Sequence, residues 1–102
     1  MKVIILGAGL VGGPMAIDLA KDKNNFVVSV DNNKNSLAKL RNYPINTFEA
    51  NLSVKKNIKN LISDFDFVIN ALPGFMGFTT LKTIIEAKKN VVDISFFPEN
   101  PF

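Results

Sequence analysis

The chain has 102 residues, enough for one domain with a single core. Its net charge is +3, but the lysines are scattered and form no block, which argues against nucleic acid or an anionic membrane as a partner. Cysteine and histidine are absent, which removes disulfides, thiolate chemistry, the commonest metal ligand and the commonest general base, so no metal site is expected. No apolar stretch approaches bilayer-spanning length, and Met1-Lys2 leads directly into the first apolar run without a signal peptide, so a cytoplasmic location is expected.

The first predicted strand, from Lys2 to Leu6, breaks into Gly7-Ala8-Gly9-Leu10-Val11-Gly12, a G-x-G-x-x-G spacing where a strand should hand over to a helix. Gly7 permits a tight turn, Gly9 lets the backbone approach a pyrophosphate, and Gly12 lets the helix pack close to the strand. Amides at a helix start favour phosphate. In the helix that follows, Leu10, Pro14, Ile17 and Ala20 fall at helical spacing and are expected to face the core, with Met15 and Leu19 beside them and Asp18, Lys21 and Asp22 left to solvent. Pro14 sits in the opening turn, where a missing N–H costs least.

The second apolar segment, Phe26-Val27-Val28-Ser29-Val30, closes on Asp31. That acid lies about 20 residues beyond the glycine turn, where a carboxylate meets the adenosine ribose of a dinucleotide. The simpler reading of the glycines is a turn and of Asp31 a solvated strand end. Spacing, context and acid together favour nucleotide binding, with Asn32 beside Asp31 in the same loop. A carboxylate here accepts the ribose hydroxyls and repels a 2′-phosphate, so the cofactor expected is NAD, with NADP the alternative because Lys34 can offset the repulsion.

Residues 32–42 carry Leu37 and Leu40 at helix-like spacing, and Tyr43-Pro44 stops that helix. A short strand is expected over residues 45–49. Ser53 is expected to cap a helix containing Val54, Ile58, Leu61 and Ile62. Residues 65–72 then read as a nearly continuous apolar strand of the kind buried on both faces of a parallel sheet. Pro73-Gly74 ends it, a helix is expected from about Thr79 to Lys89, and Asn90 turns into a fifth strand, Val91-Val92-Asp93-Ile94.

Strands alternating with helices imply an α/β fold: a doubly wound parallel sheet of Rossmann type, in three α/β/α layers and strand order 3-2-1-4-5. The ligand crevice then falls between strands 1 and 4, bringing Leu72, Pro73 and Gly74 opposite the glycine turn. Asp93, at the end of strand 5, is the one candidate for acid or base chemistry, although an acid there is more ordinarily a helix cap or hydrogen-bond anchor.

The segments Asp66-Phe67-Val68-Ile69-Asn70-Ala71-Leu72-Pro73-Gly74 and Val91-Val92-Asp93-Ile94-Ser95, together with the glycine turn, resemble the dinucleotide-binding domain of the saccharopine dehydrogenase family, especially its lysine dehydrogenase-like members. The resemblance runs over essentially the whole chain. It implies an oxidoreductase acting on a carbon–nitrogen bond of a lysine-type amino acid with a nicotinamide dinucleotide as hydride carrier. It assigns Gly7, Gly9, Gly12 and Asp31 to the cofactor, Leu72, Pro73 and Gly74 to its nicotinamide side, and Asp93 and Ser95 to a cleft shared with a second domain that holds the amino-acid substrate. On that reading residues 1–102 are a single nucleotide-binding domain of a longer two-domain enzyme, inactive alone. The aromatic tail, with Phe96, Phe97 and Phe102, is expected to pack on that second domain or on a neighbouring copy in a homo-oligomer, the simpler alternative being that Phe96 and Phe97 fold back on this domain's own core. Two other classes begin with a glycine turn and an acid after strand 2: nucleotide-sensing regulators of potassium channels, and methyltransferases that bind S-adenosylmethionine. The Leu-Pro-Gly turn followed by Phe75-Met76-Gly77-Phe78 counts against both.

Overall fold

The computed structural model describes residues 1–94. Strands β1 (Lys2–Leu6), β2 (Phe26–Asp31), β3 (Asn46–Glu49), β4 (Phe67–Asn70) and β5 (Val91–Asp93) alternate with helices α1 (Gly12–Ala20), α2 (Lys34–Ala38), α3 (Lys55–Ile62) and α4 (Gly74–Glu86). The strands form one sheet in the order β3-β2-β1-β4-β5, every pairing parallel, as expected for a doubly wound Rossmann-type sheet. Ser95 and the aromatic tail lie outside the described residues.

Side-chain alternation along the central strand builds the two outer layers. Val3 and Ile5 pack with Ala16 and Ala20 of α1 and with Leu37 and Leu40, whereas Ile4 and Leu6 pack with Ile58 and Ile62 of α3 and Ile84 of α4. The register sets Leu6 beside both Val30 and Asn70, and Asn70 beside Asp93. The carboxyl ends of β2, β1, β4 and β5 therefore share one rim, and the loops that leave it meet there.

The face of α1 differs from expectation. Its buried residues are Gly12, Gly13, Ala16 and Ala20, while Leu10 is 94% exposed, Pro14 is exposed and Ile17 is only half-buried. Small residues win the sheet-facing positions because the helix crosses the end of β1 at backbone contact distance. The larger apolar groups are displaced to its flanks.

Three other elements are shifted. The second helix occupies only residues 34–38 of the expected 32–42, with Leu37 and Leu40 still buried. Ser53 does not cap α3: Val54 stands at that position without a side-chain bond, and the Ser53 hydroxyl donates instead to Asn51 Oδ1 at 2.6 Å. The fourth helix starts at Gly74 and not near Thr79, because Pro73, extended at φ −78° and ψ 157°, is its N-cap and Gly74 takes φ 58°. Residues 75–78, read from sequence as a loop, are its first turns.

Candidate functional site

Backbone approach dictates the glycine turn. Gly7 adopts φ 107°, donates its amide to the Val30 carbonyl at 2.8 Å, and would carry a Cβ only 3.0 Å from the Ala71 carbonyl oxygen. Gly12 is tighter still: a Cβ there would lie 2.0 Å from the Gly7 carbonyl oxygen, so α1 rests on the end of β1 through main-chain atoms. Gly9 is the opposite case: among the described residues nothing lies within 4 Å of its would-be Cβ, and that position borders a crevice. Val11, at the N-cap of α1, makes no side-chain capping bond, so the turn itself presents backbone groups there.

Asp31 ties this turn to β2. Its Oδ2 accepts the Ala8 amide at 2.8 Å and its Oδ1 accepts the Asn33 amide at 2.9 Å. Asn33 in turn caps α2, its Oδ1 accepting the amides of Asn35 at 2.9 Å and Ser36 at 3.2 Å. Lys34, the residue expected to offset repulsion of a 2′-phosphate, is well exposed, its Nζ 4.0 Å from Glu49 Oε1.

A crevice of about 330 Å³ opens between the ends of β1 and β4. It brings together Gly7, Gly9, Leu10, Val11, Asp31, Asn32, Leu72 and Pro73 of the sequence-predicted set, and adds Asn33, Ser36, Ala71 and Met76. Three predicted cofactor-binding residues, and the candidate acid Asp93, do not line it. Gly12 is buried in the helix–strand contact, Gly74 starts α4, and Ala8 faces a larger, mainly apolar groove of about 510 Å³ between α1 and α2 that Pro14, Ile17, Leu40 and Tyr43 help to form.

Asn70 is a residue that the sequence reading did not single out. Its side chain is fully buried at the end of β4; Nδ2 donates to the Gly77 carbonyl at 2.7 Å and to Asp93 Oδ1 at 3.0 Å. The Leu72 amide approaches Asn70 Oδ1 at a longer 3.5 Å. An amide interrupting the apolar run Phe67-Val68-Ile69 was the available signal, since a buried amide is stable only where its hydrogen bonds are met. Asp93, the candidate acid, is thus held by Asn70 at the rim.

Among the described residues no group of three or more acids or other ligating side chains is arranged to hold a metal ion, and no helix is long and apolar enough to cross a membrane. The rim offers a strand-end acid, an uncapped helix start and an open glycine face, a set of groups that suits a ribosyl phosphate ligand and the pyrophosphate of a dinucleotide.

Comparison with known proteins agrees. Residues 3–101 match the family model described as the saccharopine dehydrogenase NADP binding domain. The alpha-aminoadipic semialdehyde synthase of Rattus norvegicus, a mitochondrial protein, is 29% identical over 97 residues, covering 93% of this chain and 10% of that protein. N-acetyl-gamma-glutamyl-phosphate reductase of Prochlorococcus marinus is 28% identical over 98 residues, covering 93% of this chain and 28% of the relative. Among solved structures, apo saccharopine dehydrogenase (L-Glu forming) of Saccharomyces cerevisiae superposes with a TM-score of 0.74 at 23% identity, over 90% of this chain and 21% of that one. UDP-glucuronic acid 4-epimerase of Bacillus cereus, in complex with NAD, gives 0.66 at 18% identity over 91% and 39% of the two chains. These superpositions establish the fold. The chain spans about a tenth to a quarter of the length of the curated relatives it matches.

Proposed function

The chain belongs to the family of saccharopine dehydrogenase NADP-binding domains, and from that premise we propose that it is the nicotinamide dinucleotide-binding domain of an oxidoreductase acting on the carbon–nitrogen bond of a lysine-type amino acid. The observation that carries this reading is the meeting of Gly9, Asp31 and Leu72 around one crevice at the switch point of the sheet. A bound nicotinamide supplies hydride chemistry, and the protein supplies placement, electrostatics and exclusion of water. In this assignment the start of α1 and the open face of Gly9 receive the pyrophosphate, Asp31 and Asn32 receive the adenosine ribose, and Leu72 and Pro73 form the wall on the nicotinamide side. Gly7 and Gly12 shape the turn beneath, and Gly74 sets the start of α4.

NAD is the preferred cofactor in this reading. A carboxylate at Asp31, at the end of β2, accepts ribose hydroxyls and repels a 2′-phosphate. Asp93 is assigned the role of an anchor, its Oδ1 accepting from Asn70 Nδ2 at 3.0 Å. The amino-acid substrate is held by a further domain of a longer cytoplasmic enzyme, and this chain alone gives no turnover. Fluorescence titration with NADH, NADPH and S-adenosylmethionine tests the assignment. Binding of NADH ahead of NADPH supports it; binding of S-adenosylmethionine with neither dinucleotide would sink it.

A further inference from the structure

We propose that Asn70 is a positioning residue for the nicotinamide ring of the cofactor, an inference that rests on the dinucleotide reading of the crevice. A dinucleotide laid across the switch point with its adenosine ribose at Asp31, on the β2 side, carries its other half toward the ends of β4 and β5. Asn70 stands at that end. The strand has no packing need for an amide there, since Val68 and Ile69 continue the same strand with apolar side chains that are also buried. The amide joins the end of β4 to two other pieces of chain, the Gly77 carbonyl in α4 and the Asp93 carboxylate at the end of β5, and its Oδ1 lies 3.5 Å from the amide of Leu72 in the crevice wall. The Asn70 carbonyl also accepts the Ile94 amide at 2.9 Å, so its main chain and side chain bind the same neighbouring strand. One buried group therefore fixes the crevice wall at Leu72 and Pro73 relative to Asp93.

Asn70→Asp tests this with little change of shape. The variant replaces two donated hydrogen bonds with a carboxylate facing a carbonyl and a second carboxylate. ADP-ribose, which lacks the nicotinamide, and NADH are titrated in parallel against the parent and the variant. NADH affinity should fall about tenfold, the scale of one lost charge-assisted hydrogen bond, while ADP-ribose affinity changes less than about twofold. Adding Asp93→Asn to that variant restores a donor opposite residue 70 and should recover part of the NADH loss. Equal losses for both ligands would make Asn70 a support of the fold only, and no loss for either would also overturn the proposal. Should Asn70→Asp melt below the assay temperature, Asp93→Ala carries the test, since it removes one acceptor of the same amide at an exposed site. It must then reduce the preference for NADH over ADP-ribose, and an unchanged preference would overturn the proposal. A parent that binds neither ligand would refute the dinucleotide reading itself, a result distinct from a parent that binds both and variants that lose both equally.

Discussion

Asp31 Oδ2 accepts the amide of Ala8 at 2.8 Å, so the acid that ends β2 braces the glycine turn that ends β1. With Asn33 bound to its other oxygen, the carboxylate already orders two of the three loops that border the crevice. A ribose bound there meets a group held in place before the ligand arrives, which lowers the ordering cost of binding.

Asp31→Ala should therefore damage stability as well as binding. Two amides lose a charged acceptor at a half-buried site, and a loss of about 1–3 kcal/mol is expected by chemical denaturation. Asp31→Asn keeps one acceptor oxygen and should fall between parent and Ala. A variant as stable as the parent would show that the bracing contributes nothing.

The same substitution should alter selectivity. Removing the carboxylate weakens NADH through lost ribose hydrogen bonds and relieves repulsion of a 2′-phosphate, so the ratio of NADPH to NADH dissociation constants should move toward unity. Lys34→Ala should leave that ratio nearly unchanged, because this lysine is extended toward Glu49. Parallel titrations of the three proteins check both statements. A parent that binds NADPH more tightly than NADH would refute the assignment of Asp31 as the selecting group.

The sheet order and the glycine turn were legible because both rest on local signals: apolar runs of strand length, glycine spacing and an acid at a strand end. Helix boundaries were not. Pro73-Gly74 reads as a turn in sequence, yet proline satisfies an N-cap and glycine the positive φ beside it, so the same pair starts α4. The buried face of α1 is not legible for a related reason: helical spacing allows several stripes, and the 2.0 Å limit at Gly12 selects the stripe of small residues. Asn70 escaped notice because its meaning depends on Asp93 and Gly77, partners that only the fold brings within reach.

A pH effect follows from the link between α3 and α4. Lys55 Nζ lies 2.8 Å from Glu86 Oε1, and this hydrogen bond, together with the charge of Lys55, holds the Glu86 carboxyl below its ordinary value of 4.5; Lys59 and Lys82 add smaller pulls in the same direction. A carboxyl depressed in the folded state stabilises above its unfolded pKa, and that contribution is lost as pH falls through the folded one. Glu86→Gln should melt slightly below the parent at neutral pH and converge with it in acid. Salt should narrow the neutral-pH gap, because the pair is exposed. A gap that grows on acidification would contradict the pairing.

Gly9 and Gly12 separate binding from folding within one motif. A valine at position 9 projects into space that none of the described residues occupies, so Gly9→Val should fold and melt near the parent while losing NADH, whose pyrophosphate would meet the new side chain. At position 12 even a methyl group would sit 2.0 Å from the Gly7 carbonyl oxygen, and relief requires lifting α1 off β1. Gly12→Ala should cost about 3 kcal/mol or more, the upper range for forcing atoms into a packed contact. For a domain of this size that loss lowers the melting temperature by roughly 10 °C or more. Thermal melts followed by circular dichroism, paired with NADH titration below both transitions, measure the two effects separately. A Gly9→Val protein that binds NADH like the parent would remove the pyrophosphate from this turn, and a Gly12→Ala protein that melts like the parent would show that α1 has another way to seat on the sheet.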